Sequence, residues 1–355
     1  MFEDKLKNKL SEREKNNSLR QLSITSGLVD FCSNDYLGFA QKQNPNQQAM
    51  GSTGSRLISG NTPLHLLLEK EIAKCHQTEA ALIFNSGYDA NLGFFSCIPQ
   101  KEDTVIYDQL CHASIRDGIR LGLARSFAFQ HNDTIQLQEK LKQATGQAFV
   151  VVESIYSMDG DHSPLEKIAS ICKTYDAKLI VDEAHAFGIF GDKGQGLCQN
   201  IDTFARIYTY GKALGSHGAA IVGNQLLHDY LLNFSRPFIY TTALPPHAIE
   251  RISWAYQNIE NIEERKKLKQ NIAYFKANCK NTKLIESNSA IQCVLIGGNS
   301  PTKKAAIQLS KHHLDVRPIL HPTVAIGQER LRICLHSFNT KEEIYNLCQQ
   351  INSFQ

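Results

Sequence analysis

The sequence has no long hydrophobic run, and this absence bears on its relation to membranes. No apolar segment approaches the roughly 18 residues that cross a bilayer. The charged N-terminal stretch MFEDKLKNKLSEREKNNSLRQL lacks the apolar core of a signal peptide. We therefore expect no membrane partner, and we predict a cytoplasmic location.

Paired cysteines are absent as well. The ten cysteines are scattered, with no C-x-x-C pair and no cluster of histidine and cysteine ligands. A disulfide framework and a zinc site are both disfavoured by this spacing, and free thiols in a reducing compartment are the better interpretation. We predict that the chain has no metal site.

A strong excess of one charge is missing too. The chain carries 38 basic and 35 acidic residues, a formal net charge of +3. Such a balance does not require a basic surface, so the composition argues against nucleic acid as a partner.

The sequence does contain short apolar runs that alternate with helical patterns. Continuous apolar strands separated by helices are typical of a mostly parallel sheet covered on both faces, so we predict an α/β fold. The strand candidates are AALIFNS (80–86), DTVIYD (103–108), AFVVVES (148–154), KLIVDEA (178–184), RIYTYG (206–211) and AAIVGN (219–224).

The pattern also predicts how the chain is divided. We expect an N-terminal helical segment at 1–45, a large domain with a seven-stranded type of sheet at 46–245, and a smaller α+β domain at 246–355. A long polar helix is predicted over about residues 247–278.

Polar side chains follow four of the predicted strands, where ligands of parallel α/β sheets bind. A Ser86-Gly87 turn opens a helix whose backbone N–H groups could hold a phosphate. The other polar strand ends contain Glu153, Ser154 and Ser157, then Asp182, Glu183 and His185, and finally Thr209 and Lys212.

The letters DEAH at 182–185 also occur as a magnesium-binding box in nucleotide hydrolases. That interpretation requires a phosphate loop of the form G-x-x-x-x-G-K-[ST]. The only candidate is Gly211-Lys212, where Ala213 follows the lysine and Arg206 stands in place of the first glycine. We therefore discard nucleotide hydrolysis.

The combination of a lysine, an acid and a phosphate turn indicates pyridoxal phosphate instead. A lysine that forms a Schiff base needs an uncrowded site, and small residues surround Lys212. The pyridinium nitrogen of the cofactor needs a carboxylate such as Asp182.

Many ordered motifs then resemble one known family, the α-oxoamine synthases. These include FCSNDYLGFA, GSTGSRLISGNTPLHLLLE, FNSGYDANLG, VDEAHAFGIFG and TYGKALGSHGA. The resemblance covers nearly the whole chain. It implies a dimeric fold-type I pyridoxal-phosphate enzyme that joins an amino acid to an acyl thioester and releases carbon dioxide.

Two stretches, SNSAIQCVLIGGNS (287–300) and PTV (322–324), most resemble members that condense L-alanine with a pimeloyl thioester in biotin biosynthesis. The thioester carrier, coenzyme A or acyl carrier protein, stays open. Siblings that use glycine or serine with another acyl group are the alternative, and a non-catalytic scaffold paralogue is a third.

The resemblance also implies roles for residues around the cofactor. Lys212 matches the Schiff-base lysine and general base, Asp182 the pyridinium partner, and His112 the histidine stacked on the ring. The remaining cofactor contacts are His185 and Ser157 near the 3-hydroxyl, Gly87, Tyr88 and Thr209 at the phosphate, and Thr241 and Thr242 at the phosphate of a partner subunit.

Four residues match substrate contacts of the family. Arg332 resembles the arginine that holds the substrate carboxylate, a task that suits a guanidinium fork. Arg330 stands nearby on the same strand, and we expect one of the two to face solvent. The other substrate contacts implied are Arg20, Thr323 and Asn34.

The sequence departs from the family in two places that bear on the acyl substrate. Only QKQNPNQQAM separates NDYLGFA from GSTGSRL, where the family usually has a helix. Leu320 also replaces a family arginine, and Arg317 lies three residues earlier. Either Arg317 substitutes for that arginine or one contact to the acyl group or its carrier is lost.

Overall fold

The structure, a computed structural model, describes residues 11–17, 27–33, 35–39, 51–260, 262–280 and 283–354. The chain forms two compact units. The larger contains residues 37–157 and 162–265, and the smaller contains residues 1–36, 158–161 and 266–355. The division at residues 45 and 245 expected from the sequence stays a prediction.

A seven-stranded sheet forms the centre of the larger unit. Its strands are β2 (Ala80–Phe84), β3 (Thr104–Asp108), β4 (Arg125–Phe129), β5 (Ala148–Glu153), β6 (Lys178–Asp182), β7 (Ala205–Thr209) and β8 (Ala219–Gly223). They lie in the order β2-β8-β7-β6-β5-β3-β4. β8 runs antiparallel to both of its neighbours and the other pairs are parallel. The predicted α/β fold with a mostly parallel sheet is confirmed.

The sheet is covered by helices on both faces, because its central strands are apolar on both sides. On β5, Val151 packs into one hydrophobic core, while Val150 and Val152 pack into the opposite one. Side chains of a strand alternate between faces, so this run can fill both cores at once.

The helices that complete the larger unit begin and end as follows. They are α1 (Pro63–Cys75), α2 (Gly87–Cys97), α3 (Ala113–Leu121), α4 (Thr134–Leu141), α5 (Leu165–Thr174), α6 (Gln225–Phe234), α7 (Arg236–Ile239) and α8 (Pro246–Asn258).

The single helix expected over 247–278 is two helices in the structure. α8 ends at Asn258, and α9 spans Ile262–Asn278. Ile259 is buried between them. Within the described ranges, no helix is long and apolar enough to cross a membrane.

The smaller unit contains a four-stranded antiparallel sheet. Its strands are β9 (Leu284–Ile285), β10 (Ile291–Leu295), β12 (Arg317–Ile319) and β13 (Arg330–Cys334), in the order β12-β13-β10-β9. A short parallel pair joins β1 (Val29–Asp30) to β11 (Leu314–Asp315). The helices of this unit after α9 are α10 (Asn299–Lys311) and α11 (Lys341–Asn352), and residues 11–15 are also helical.

Candidate active site

Lys212 lies in the loop that joins β7 to the antiparallel β8. Hydrogen bonds close this loop, because the backbone N–H of Tyr210 donates to the carbonyl of Gly218 and that of Ser216 donates to the carbonyl of Tyr210. The amine Nζ of Lys212 lies 2.9 Å from Nε2 of His185. The structure therefore brings together two residues that the sequence assigned to the same cofactor.

Asp182 ends β6, and two donors orient its carboxylate. The backbone N–H of Ala184 donates to Oδ1 and the side-chain amide of Asn91 donates to Oδ2, each at 2.9 Å. Asp182 is buried. The two hydrogen bonds therefore fix the orientation of the Asp182 carboxylate.

Glu183 has a structural task in the loop that follows β6. Its fully buried carboxylate accepts hydrogen bonds from the backbone N–H groups of Leu197 and Cys198 and from the hydroxyl of Ser154. Burial raises the pKa of Glu183, and these donors oppose the rise. Glu183, the second residue of the DEAH sequence, therefore stabilises the loop that follows β6.

His112 caps the N-terminus of α3 and is exposed, so a ligand can reach its ring. Its Nδ1 lies 2.8 Å from Oγ of Ser114 and accepts the backbone N–H of Ser114. The pKa of His112 is lowered, because the surrounding protein removes part of its water; Asp182 opposes that shift and Lys212 adds to it. The ring thus lies within the electrostatic reach of Asp182 and Lys212.

Glu153 ends β5 beside these groups. Its Oε1 accepts the backbone N–H of His112 at 2.6 Å. Burial raises the pKa of Glu153 to about 8, and the negative charge of Asp182 contributes to the rise. The site therefore holds two carboxyl groups close to His112, and Asp182 accepts hydrogen bonds from two donors.

The first turn of α2 has the properties of a phosphate site. Ser86 caps the helix by accepting the backbone N–H of Asp89. The N–H groups of Gly87 and Tyr88 have no acceptor among the residues that the structure describes. A Cβ at Gly87 would collide with Oγ1 of Thr209, so only glycine allows this close approach of hydroxyl and helix start.

These groups fit pyridoxal phosphate. A helix N-terminus with open N–H groups and the nearby hydroxyl of Thr209 suit the phosphate. The oriented carboxylate of Asp182 suits a protonated pyridine nitrogen, and the amine of Lys212 suits the aldehyde. All of these residues belong to the larger unit.

The structure places the other residues predicted around the cofactor as follows. Tyr88 is exposed and its hydroxyl donates to Asp117 Oδ2 at 2.6 Å. Thr241 Oγ1 and the carbonyl oxygen of Thr242 both accept from Nδ2 of Asn85, at 3.4 and 2.7 Å. Ser157 is buried four residues beyond the end of β5.

The described substrate candidates lie in the smaller unit. Arg332 pairs with Cys293 across β13 and β10, and its Nη1 lies 3.0 Å from Sγ of Cys334. Thr323 is exposed, and its backbone N–H donates to the carbonyl of Leu320. Arg20 and Asn34 lie outside the described residues, as does the whole of the shortened 41–50 segment.

The expectation that either Arg330 or Arg332 faces solvent is wrong. Residues two apart on a strand share a face, and neither side chain is exposed. Arg330 is buried and forms an ion pair with Asp159. Arg317, the other arginine considered, forms a 2.9 Å ion pair with Asp315.

Sequence reasoning missed the groups that hold the predicted residues in place. Asn91 and Ser114 contact Asp182 and His112, but neither ends a strand. One signal was available for Asn91, since it follows Gly87 by one helical turn in the otherwise apolar stretch ANLGFF.

Comparisons with known proteins give a consistent result. The family described as Aminotransferase class I and II matches residues 26–351. A relative from Emericella nidulans, named 8-amino-7-oxononanoate synthase, is 36% identical over 98% of this chain and 94% of its own length.

Solved structures share the fold over most of their length. One is 8-amino-7-oxononanoate synthase from Francisella tularensis, with a TM-score of 0.78 and 30% identity over 92% of this chain and 97% of that one. Another is a serine palmitoyltransferase variant from S. paucimobilis that contains bound PLP, with a TM-score of 0.89 and 25% identity over 99% of this chain and 96% of that one.

Proposed function

The chain belongs to the aminotransferase class I and II family, and we propose that it condenses L-alanine with a pimeloyl thioester to form 8-amino-7-oxononanoate, a step of biotin biosynthesis. The enzyme class and its cofactor, pyridoxal phosphate, follow from the relatives and from the PLP-bound neighbour of the same fold. The choice of alanine and of the pimeloyl group rests on the family resemblance.

One arrangement of three groups supports the proposal most directly. The amine of Lys212 lies 2.9 Å from His185. In the same unit, Asp182 receives two hydrogen bonds and α2 begins with open N–H groups. A scaffold without catalytic activity would have no need of all three.

The bound cofactor would act as an electron sink for a carbanion at the α-carbon of the amino acid. Asp182 would pair with the protonated pyridine nitrogen, because Ala184 and Asn91 orient its carboxylate. Lys212 Nζ would accept the α-proton as a general base, since small neighbours leave it room. Ser157 and His185 would contact the ring substituents.

The remaining assignments concern the substrate and a second subunit. We assign the substrate carboxylate to Arg332 and contacts to the acyl substrate to Arg20, Thr323 and Asn34. We also propose a homodimer in which Thr241 and Thr242 reach the phosphate bound by the partner subunit. Both threonines contact Asn85, the residue directly before Ser86.

A sibling reaction is the second candidate. The structural likeness to a serine palmitoyltransferase supports serine as the amino acid and a different acyl group. The relatives named 8-amino-7-oxononanoate synthase favour the first candidate, at 36% identity against 25% for this neighbour.

Product analysis decides between the two. The full-length chain is incubated with pyridoxal phosphate, equal amounts of alanine, serine and glycine, and pimeloyl groups on coenzyme A or on acyl carrier protein in separate reactions. We expect one product with the mass of 8-amino-7-oxononanoate, and labelled carbon dioxide from alanine labelled at its carboxyl carbon. A serine or glycine adduct would replace the first candidate by the second, and an absence of any condensation product would contradict the first.

A further inference from the structure

Two buried residues outside the predicted set, Asn91 and Ser114, connect His112 to Asp182. Asn91 Nδ2 lies 2.9 Å from Asp182 Oδ2 and 3.0 Å from Ser114 Oγ. Ser114 Oγ lies 2.8 Å from His112 Nδ1. Hydrogen bonds therefore run without a gap from the carboxylate to the imidazole.

We infer that Asn91 and Ser114 are positioning residues that hold His112 as a neutral imidazole with its proton on Nε2. The inference rests on the proposed function, in which the ring of His112 lies against the cofactor. It adds the protonation state and the residues that set it.

The direction of each hydrogen bond follows from Asp182. An ionised carboxylate only accepts, so the amide group of Asn91 must face it with Nδ2. The second proton of the same Nδ2 then points to Ser114 Oγ, which accepts. Oδ1 of Asn91 is buried with no hydrogen-bond partner, so the side chain serves here through its donors alone.

The hydroxyl proton of Ser114 is consequently available for His112. It points to Nδ1, and the backbone N–H of Ser114 points to the same nitrogen at 3.2 Å. A backbone N–H cannot accept, so Nδ1 must present its lone pair. Two donors on one nitrogen leave no place for a proton there.

The consequence for chemistry concerns the other ring nitrogen. A neutral imidazole with Nδ1 unprotonated carries its proton on Nε2, where it can donate a hydrogen bond to a ligand. The pKa of His112 is lowered chiefly because the surrounding protein removes part of its water, and a neutral ring agrees with that direction. His112 would thus act as a donor toward an oxygen of the substrate.

Nuclear magnetic resonance of the histidine side chains tests the inference without reference to turnover. The full-length chain is labelled with 15N-histidine, and correlation spectra of the imidazole nitrogens are recorded with and without pyridoxal phosphate from pH 5.5 to 8. Comparison with a His112→Gln variant identifies the signals of His112. We expect an unprotonated Nδ1 and a protonated Nε2 throughout the upper part of this range.

Variants then show whether Ser114 sets this state. Ser114→Ala removes one donor from Nδ1, so the pKa of His112 should rise by about half a unit or more, and Ser114→Thr, which keeps the hydroxyl, should restore the original titration. Ser235→Ala is the matched control, because Ser235 is fully buried and its hydroxyl has no hydrogen-bond partner. It should leave the signals of His112 unchanged.

Two results would overturn the inference: a proton on Nδ1 of His112 in the unmodified chain, or an equal shift in the Ser114→Ala and Ser235→Ala variants. These results are independent of the product analysis. A chain that forms no condensation product but keeps Nδ1 unprotonated would refute the proposed function and retain the inference.

Discussion

The carboxylate of Glu153 accepts the backbone N–H of His112 at 2.6 Å, although burial raises its pKa to about 8. The folded chain therefore keeps this proton to a higher pH than an unfolded chain, in which the ordinary value is 4.5. Since the folded state binds the extra proton, stability should fall as the pH rises from about 4.5 to about 8.

Glu153→Gln should remove this loss of stability. The amide oxygen of glutamine still accepts the N–H of His112, but the side chain has no proton to lose. We expect the free energy of unfolding to decline less between pH 5 and pH 8 than in the unmodified chain, by about 1 kcal/mol or more. Chemical denaturation at several pH values measures this decline in both proteins. Glu139→Gln, at an exposed position on α4, is the control, and an identical pH slope in both variants would refute the prediction.

Replacement of Lys212 should abolish turnover and leave the fold intact. Lys212→Ala removes the amine beside His185, so the rate of condensation should fall by about a hundredfold or more. The visible absorption of added pyridoxal phosphate should also lose its response to the protein. Lys173→Ala, at an exposed position on α5, should change neither quantity. Full turnover by Lys212→Ala would contradict the proposed base.

The close approach of Gly87 to Thr209 predicts a coupled pair of substitutions. Gly87→Ala places a methyl group against Oγ1 of Thr209, and overpacking of this kind costs about 1–3 kcal/mol. Thr209→Ala removes the oxygen, so the double variant should be more stable than the sum of the single effects allows.

Denaturation curves of the four proteins in this cycle measure the coupling. Gly51→Ala is the control, because a Cβ at Gly51 meets no atom of the residues that the structure describes within 4 Å. Strictly additive effects would show that the helix start can move away from Thr209. Affinity for pyridoxal phosphate, measured in parallel, should fall in Gly87→Ala.

Loss of the ion pair between Arg330 and Asp159 should lower the free energy of unfolding far more than loss of an exposed ion pair. Asp159→Asn leaves a buried guanidinium without its counterion, which costs about 3–5 kcal/mol. Lys193 and Glu260 form an exposed pair at 3.2 Å, and Glu260→Gln should cost less than about 1 kcal/mol. Unfolding by denaturant compares the two variants, and equal losses would count against a buried role for Arg330.

Much of the larger unit was predictable, because its strands are continuous apolar runs. β4 was not, since RSFAF begins with exposed residues and pairs only with β3 at the edge of the sheet. The reversed direction of β8 also had no signal, because AAIVG reads the same in a parallel or an antiparallel position. Strand direction is decided by the connection and by the neighbours.

The residues proposed to contact the cofactor, such as Asp182 and Lys212, could be predicted because they follow apolar strands. The residues that orient them could not be predicted in this way. Asn91 and Ser114 lie on two different helices and meet only when α2 and α3 pack together. The partner of Arg330, Asp159, likewise depends on a tertiary contact. A pattern along one segment cannot contain such information.

The reversed strand β8 has a consequence for Lys212. A parallel neighbour would require a crossover of a dozen or more residues, usually a helix, between β7 and the next strand. The antiparallel partner instead allows a loop to connect β7 directly to β8 without a helix. Within this loop, the backbone N–H of Tyr210, before the lysine, donates a hydrogen bond to the carbonyl of Gly218, after it. The backbone of Lys212 is thereby anchored in two directions, and its amine can approach or leave a bound molecule by rotation of its own four methylene groups.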